Sequence, residues 1–301
     1  MIGRFAPSPS GRMHLGNVFS ALLSWLSVRS QGGRMLLRVE DLDPERCRPA
    51  YAEQLCEDLR WLGLDWDAEQ PRQSTRDGFY AERFRALQER GLVYPCYCSR
   101  AALHSASAPH TADGQVIYAG TCRHLTQAQR AAQRTNPAWR IAVPERKFSV
   151  KDGVQGSYEE NLATECGDFI LRRADGVYAY QLAVVCDDGD GGVTEVVRGR
   201  DLLSSVPRQM YLQELLDLPH PAYYHVPLLT DDLGRRLSKR DGDLDLGALR
   251  QTMTAPELLG HLAWAAGLLP AYAPMTAAEL VPLFHWSLVR KEDIAIRCYF
   301  R

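Results

Sequence analysis

At 301 residues, with 24% charged and 46% hydrophobic side chains, the chain has the make-up of a soluble globular protein and length enough for two domains. A net charge of -2 excludes nucleic-acid binding through overall charge, so any such contact must come from a local basic face. No apolar run approaches the ~20 residues of a membrane span, no signal peptide precedes the first apolar segment, and the eight cysteines are scattered, which argues for reduced thiols in a cytoplasm over a disulfide framework.

Met1, Ile2 and Phe5 predict a short buried strand, and residues 18–28 an apolar helix. Pro7, Pro9 and Gly11 lie between them and forbid helix and strand interior alike, so the connection has a fixed shape. It carries His14 and Gly16 to the start of the helix, where open backbone N–H groups and the positive dipole end suit a phosphate. Gly16 lets a ligand approach the main chain closely. Taken alone, His-x-Gly reads as an ordinary strand-to-helix turn; the longer string is far more specific.

Gly32 and Gly33 close a turn, and residues 35–39 predict a second buried strand, parallel to the first. Strand, helix, strand is the opening unit of a doubly wound parallel sheet, an α/β class whose ligands bind outside the carboxyl ends of the strands. Glu40, Asp41 and Asp43 stand at that edge, where one carboxylate can meet an amino group or a ribose hydroxyl. Asp43, followed by Pro44, is expected to cap a helix that starts there. Helices are expected over 50–62 and 78–90, with Leu55, Leu59, Leu62, Phe84 and Leu87 at helical spacing and Trp61 and Trp66 in the core.

Cys96, Cys98 and Cys122 form a trio of thiols in an insertion, the pattern of a structural zinc site. Spacing leaves the fourth ligand open among His124, His104 and His110. Between 138 and 180 short alternating segments predict strands, the last two joined by a hairpin at Asp175-Gly176 and ending in Tyr180. Asp187 and Asp188 precede a Gly-rich turn, and residues 193–199 predict a buried strand that carries Arg198 to the same sheet edge as Glu40. Arg4 closes the first strand at that edge. Two arginines and one carboxylate converging there suit an acidic amino acid, the guanidinium forks taking its carboxylates and Glu40 its ammonium. Arg198 could also pair locally with Asp201. A helix follows over 201–217 and a last core strand over 223–229, with His225 a core or hinge residue. From Asp245 the chain is expected to be helical to its end, over 255–266 and 277–284. Arg123, Arg130, Arg134, Arg140 and Lys147 read as a nucleic-acid face or, by default, as a solvated one.

Residues 4–17, together with Arg236-Leu237-Ser238-Lys239-Arg240, resemble the HIGH and KMSKS signatures of class I aminoacyl-tRNA synthetases. Asn17 stands at the last position of the first signature and Arg236 at the first of the second. Residues 4–17, 39–43 and 167–188 are similar to the glutamyl subgroup. The resemblance implies a Rossmann-like catalytic domain in which His14, Gly16, Asn17, Ser238 and Lys239 meet ATP, with His14 and Lys239 acting in adenylation. It further implies Arg4 and Tyr180 at the side-chain carboxylate of glutamate, Arg198 at its α-carboxylate, and Ser8 and Glu40 at its α-amine. ATP would enter with Mg2+, and an ionised carboxylate attacking phosphorus needs no general base.

Cys96-Tyr97-Cys98 and Tyr118-Ala119-Gly120-Thr121-Cys122 are similar to a shortened paralogous family, the glutamyl-Q tRNA(Asp) synthetases. That likeness implies a structural zinc on Cys96, Cys98, Tyr118 and Cys122, and esterification of glutamate onto the queuosine of the tRNA(Asp) anticodon. The implied organisation is a catalytic half over 1–92, an inserted zinc- and β-containing subdomain over 93–167, a second catalytic half over 168–240 ending in the Lys239 loop, and a helical stem-contact region over 241–301. No anticodon-binding domain is expected, and the state expected is a monomer. A fragment charging tRNA(Glu) and a non-catalytic tRNA-binding paralogue are the alternatives.

Overall fold

The computed structural model describes residues 1–99, 117–235, 237 and 245–300. β1 (Ile2–Phe5) and β2 (Arg34–Leu37) are parallel, in the register Ile2↔Arg34 to Phe5↔Leu37. The crossover between them is α1 (Leu15–Ser30), whose Leu15, Val18, Phe19, Leu22, Leu23 and Leu26 are all buried. After α2 (Pro49–Trp61), the short β3 (Ala68–Glu69) extends the sheet on the far side of β2, again parallel.

α3 (Asp77–Glu89) leads to β4 (Val93–Cys96), and α4 (Gln127–Ala131) precedes β5 (Ala138–Ile141). β6 (Lys147–Asp152) and β7 (Gly156–Asn161) form an antiparallel hairpin, and β8 (Phe169–Arg172) completes an antiparallel sheet in the order β4-β5-β8. The chain then returns through α5 (Tyr180–Asp190), β9 (Glu195–Gly199), α6 (Val206–Leu215) and β10 (Ala222–Val226), with β10 parallel to β9. The segment entering β9 lies against β1, because Thr194 N–H donates to the Ile2 carbonyl at 2.9 Å. Chain order therefore reverses between β1 and β9, and the crevice for ligand opens at their carboxyl ends.

β11 (Leu229–Thr230) pairs in parallel with β12 (Ile294–Ala295), and α7 (Leu246–Thr252), α8 (Ala255–Ala266) and α9 (Ala277–Leu280) lie between them in the chain. Their apolar faces share one core with α1 and α2: Phe19, Leu22, Leu55 and Leu59 cluster with Leu258, Leu262, Ala265 and Leu280. A second core gathers Tyr80 and Phe84 of α3, Ile141, Leu171, Leu182, Val185 and Leu212. No described helix is long and apolar enough to cross a membrane.

Several elements differ from the sequence expectation. The helix expected directly after Pro44 begins at Pro49, with Arg48 at its N-cap; Asp43 instead holds a turn, accepting from Glu45 N–H at 3.2 Å on its side chain and from Cys47 N–H at 2.8 Å on its carbonyl. Tyr180 opens α5 rather than ending a strand. The run 182–186 is apolar and buried throughout, and an all-apolar stretch carries no period to tell strand from helix. Trp61 and Trp66 pack on the first core only half-buried. Beyond residue 283 the chain is not continuously helical: Leu228 N–H donates to Asp293 Oδ1 at 2.8 Å and Ile294 N–H to the Leu228 carbonyl at 2.9 Å, which recruits a strand there.

Candidate active site

The loop 6–13 leaves β1 and is tied on both sides. Glu40 N–H donates to the Pro7 carbonyl at 3.0 Å, Arg48 N–H to that of Pro9 at 3.2 Å, and Leu246 N–H to that of Met13 at 3.1 Å. His14 then caps α1 in an extended conformation, its N–H donating to Asn17 Oδ1 at 3.3 Å while its carbonyl accepts from Asn17 N–H at 2.9 Å. A Cβ on Gly16 would lie 3.0 Å from the imidazole Cε1, so glycine gives the ring room over the first turn. The result is a helix N-terminus with polar side chains at a cavity mouth.

That cavity, about 470 Å³, sits at the β1/β9 crevice. Arg4, Ser8, His14, Gly16, Asn17, Glu40, Tyr180 and Arg198 all line it, so residues separated by up to 194 positions in the chain meet in one space. Ser238 and Lys239, and with them Arg236, lie outside the described residues.

The floor is a buried ion network. Arg4 Nε donates to Asp188 Oδ1 at 3.2 Å, and Arg38 Nη1 donates to the same oxygen at 2.6 Å. Arg38, fully buried, also donates through Nη2 and Nε to Glu40 Oε1 at 3.1 and 3.3 Å. Burial opposes the charge of Arg38, but Asp188, Glu40 and Asp187 together hold its guanidinium above the ordinary range. Asp188 is held below the usual carboxylate range: burial works against it, and Arg38 and Arg4 prevail. Glu40 is pushed up, burial outweighing the pull of Arg38 and Arg4. Asp187 stands behind this row, accepting from Tyr80 Oη at 2.8 Å and Gln73 Nε2 at 2.7 Å.

Arg198 projects from β9. Its Nη2 donates to Gln209 Oε1 at 2.9 Å, its Nη1 reaches Tyr180 Oη at 3.4 Å, and its Nε meets His225 Nε2 at 3.0 Å. Two buried guanidinium groups, a buried carboxylate and a phenol give this cavity donors that can take carboxylates and an acceptor that can take an ammonium. Sequence reasoning gave no role to Arg38, Asp188, Gln209 or Asp152, and it placed His225 in the core, where it is fully buried, without its partners. Arg38 was detectable in principle, since an arginine inside the apolar run 35–39 can be buried only with acidic partners.

The second cluster lies at the end of β4. The Sγ atoms of Cys96, Cys98 and Cys122 are within 4.8 Å of one another, with Cys98 and Cys122 at 3.6 Å. Tyr118 Oη is 3.4 Å from Cys96 Sγ and 3.9 Å from Cys98 Sγ, and it accepts from Cys122 N–H at 2.8 Å. Tetrahedral zinc with Zn–S of ~2.3 Å implies S···S edges of roughly 3.8 Å, so these donors fit that metal. Among the described residues no histidine joins the set, and His124 is exposed; His104 and His110 lie outside the described residues. Arg140 adds a cation from β5, its Nε donating to Cys96 Sγ at 3.3 Å and its guanidinium lying 3.9 Å from the Tyr118 ring centre. Arg140 is therefore buried, not part of a solvated basic face.

Residues 1–261 match the family described as tRNA synthetases class I (E and Q), catalytic domain. The chain is 46% identical over 312 residues to the glutamyl-Q tRNA(Asp) synthetase of Symbiobacterium thermophilum, covering 98% of this chain and 96% of that protein. Identity to the protein of the same name from Nitratidesulfovibrio vulgaris is 48% over 295 residues, covering 93% and 91%. Among solved structures, the glutamate tRNA ligase from Elizabethkingia meningosepticum in complex with its amino acid superposes with a TM-score of 0.84 at 25% identity, over 99% of this chain and 68% of that one.

Proposed function

Because the chain belongs to the class I tRNA synthetases of the E and Q type, we propose that it activates L-glutamate with ATP as glutamyl-adenylate and transfers the glutamyl group to queuosine in the anticodon of tRNA(Asp). The observation that carries this reading is the single cavity in which two buried arginines, Glu40, Tyr180 and the α1 N-terminus meet.

Arg4 and Tyr180 take the side-chain carboxylate of glutamate and Arg198 its α-carboxylate. Glu40 takes the α-ammonium with Ser8, since both Arg38 bonds end on Oε1 and leave Oε2 to the ligand. The ATP phosphates lie at the α1 N-terminus, against His14, the open backbone at Gly16, and Asn17. Ser238 and Lys239 belong to the reading through their motif. In activation an α-carboxylate oxygen forms a bond to the α-phosphorus, the bond to the β-phosphate breaks, and pyrophosphate leaves. The nucleophile is already ionised, so no residue is assigned as general base. N–H dipoles and cations held at fixed positions stabilise the charge that builds on phosphorus. Mg2+ supplies neutralisation of the triphosphate when bound. In transfer a queuosine hydroxyl attacks the acyl carbon, loses its proton, and AMP leaves.

Zinc on Cys96, Cys98, Tyr118 and Cys122 would have a closed, structural role, with Arg140 offsetting the negative donor set. The organisation in this reading is the one given above, two catalytic halves around the insertion and a helical end.

The deciding experiment offers labelled glutamate and ATP to tRNA(Asp) carrying queuosine or guanosine at the wobble position, beside tRNA(Glu). Label on the queuosine form alone, surviving removal of the 3′ adenosine, is the expected result. Label on tRNA(Glu) alone would return the chain to the reaction named for its solved neighbours.

A further inference from the structure

Arg198 is oriented by more than its own strand. Its Nε–H donates to His225 Nε2 at 3.0 Å. A guanidinium has only donors, so Nε2 is the acceptor and the ring proton sits on Nδ1. Nδ1 in turn lies 2.6 Å from Asp152 Oδ2, and both side chains are fully buried. Asp152 is fixed from every side. Its Oδ1 accepts from Val154 N–H at 2.9 Å, from Gln155 N–H at 2.8 Å and from His225 N–H at 3.1 Å.

Asp152 ends β6, so it stands at the tip of the β6–β7 hairpin in the inserted segment. That tip is seated on β10. Gly153 N–H donates to the Tyr223 carbonyl at 2.9 Å, and Gln155 Nε2 to that of His225 at 2.9 Å. A Cβ on Gly153 would fall 2.1 Å from the Tyr224 ring, so a side chain there would lift the tip off the strand.

We propose that Asp152 and His225 are positioning residues that aim the Arg198 guanidinium at the α-carboxylate of glutamate, which makes the β6–β7 hairpin a structural part of the amino-acid site. The inference rests on the role given to Arg198 above. An aspartate placed directly on Arg198 would neutralise the charge that the substrate needs. A neutral imidazole between them supplies an acceptor without that neutralisation. With Nε and Nη2 engaged, Nη1, whose bond to Tyr180 is long at 3.4 Å, keeps donor capacity for the ligand.

The test is pyrophosphate exchange into ATP by the full chain, titrated separately with glutamate and with ATP. His225→Leu should raise the glutamate KM about tenfold or more and leave the ATP KM within about twofold, the size expected for losing one bond to a charged group. His225→Gln, whose side-chain oxygen can reach the place of Nε2, should restore most of the loss. If His225→Leu fails to fold, His225→Asn replaces it, since it keeps a contact to Asp152 and withdraws the acceptor from Arg198. Arg198→Ala is run beside them. A raised glutamate KM in Arg198→Ala with none in the His225 variants overturns the relay and leaves the reading of Arg198 intact. An unmoved glutamate KM in Arg198→Ala overturns that reading itself. Equal loss for both substrates in His225→Leu, with no recovery in His225→Gln, makes His225 a packing residue and overturns the proposal.

Discussion

At the scale of single residues, the site is decided by who shares whose charge. Asp188 Oδ1 is held by both Arg4 and Arg38, while Arg38 also holds Glu40, so one buried arginine sets the spacing of a pocket cation and a pocket anion. Arg4→Ala should weaken glutamate selectively, about ten- to a hundredfold in KM by pyrophosphate exchange, with ATP little changed. A fall in ATP affinity with glutamate unmoved would mean that Arg4 faces the nucleotide. The same network predicts an acid limb of stability. Asp188 is depressed below its ordinary 3.8 by Arg38 and Arg4 against burial. A carboxyl depressed on folding adds stability that is complete above its unfolded value and is lost as pH falls through the folded one. Melting temperature should therefore drop steeply below about pH 4, and less steeply in Asp188→Asn. Parallel slopes would show that Asp188 titrates alike in both states. Arg4, Glu40 and Arg198 were legible as a set because topology puts strand ends on one edge. Arg38 and Asp188 were not, because nothing local in a strand or a helix states which distant charge it meets.

At the scale of elements, two short segments do specialised work. α1 begins where two prolines and Gly11 exhaust the alternatives, and its first turn is presented to the cavity by hydrogen bonds from three separate stretches of chain. The β4 end gathers three thiols and a phenol around a volume that fits one ion. The purified protein should carry about one zinc per chain, released by a chelator or by Cys98→Ala. Metal removal should speed amide exchange in β4 and β5 and leave β1 and β2 unchanged. Absence of zinc from protein purified without chelator would sink the assignment. The thiol trio was readable from spacing, but Tyr118 against His124 was not. Both lie near Cys122 in the chain, and only the folded loop turns the phenol inward and leaves the imidazole in water.

At the scale of the whole molecule, the C-terminal helices belong to the same core as the first βαβ unit. Leu262 and Ala265 of α8 cluster with Phe19 and Leu22 of α1, and Arg250 donates to the buried Asp58 of α2 at 2.6 Å. Leu262 is fully buried, so Leu262→Ala should cost about 2–5 kcal/mol. The loss should appear as a lower melting temperature for the signals of α1 and α8 together. Separate transitions would mean that the C-terminal helices unfold alone. Long-range ties also run through the site, since β6 reaches Arg198 by way of His225.

By itself the sequence determined the α/β class, the parallel opening unit, the first signature string and the residue types of the pocket. Local rules suffice for these: prolines fix a loop, apolar period marks buried faces, and a strand's carboxyl end lies where the strand stops. Only the tertiary structure decided that Tyr180 starts a helix, that Pro44 does not, that a strand near residue 294 joins β11, and that Arg38, Asp188, Asp152 and His225 stand behind the pocket wall. Each of those depends on a partner far away in the chain. The free energy of burying a charge or an all-apolar segment is set by what meets it, which no window of neighbouring residues contains.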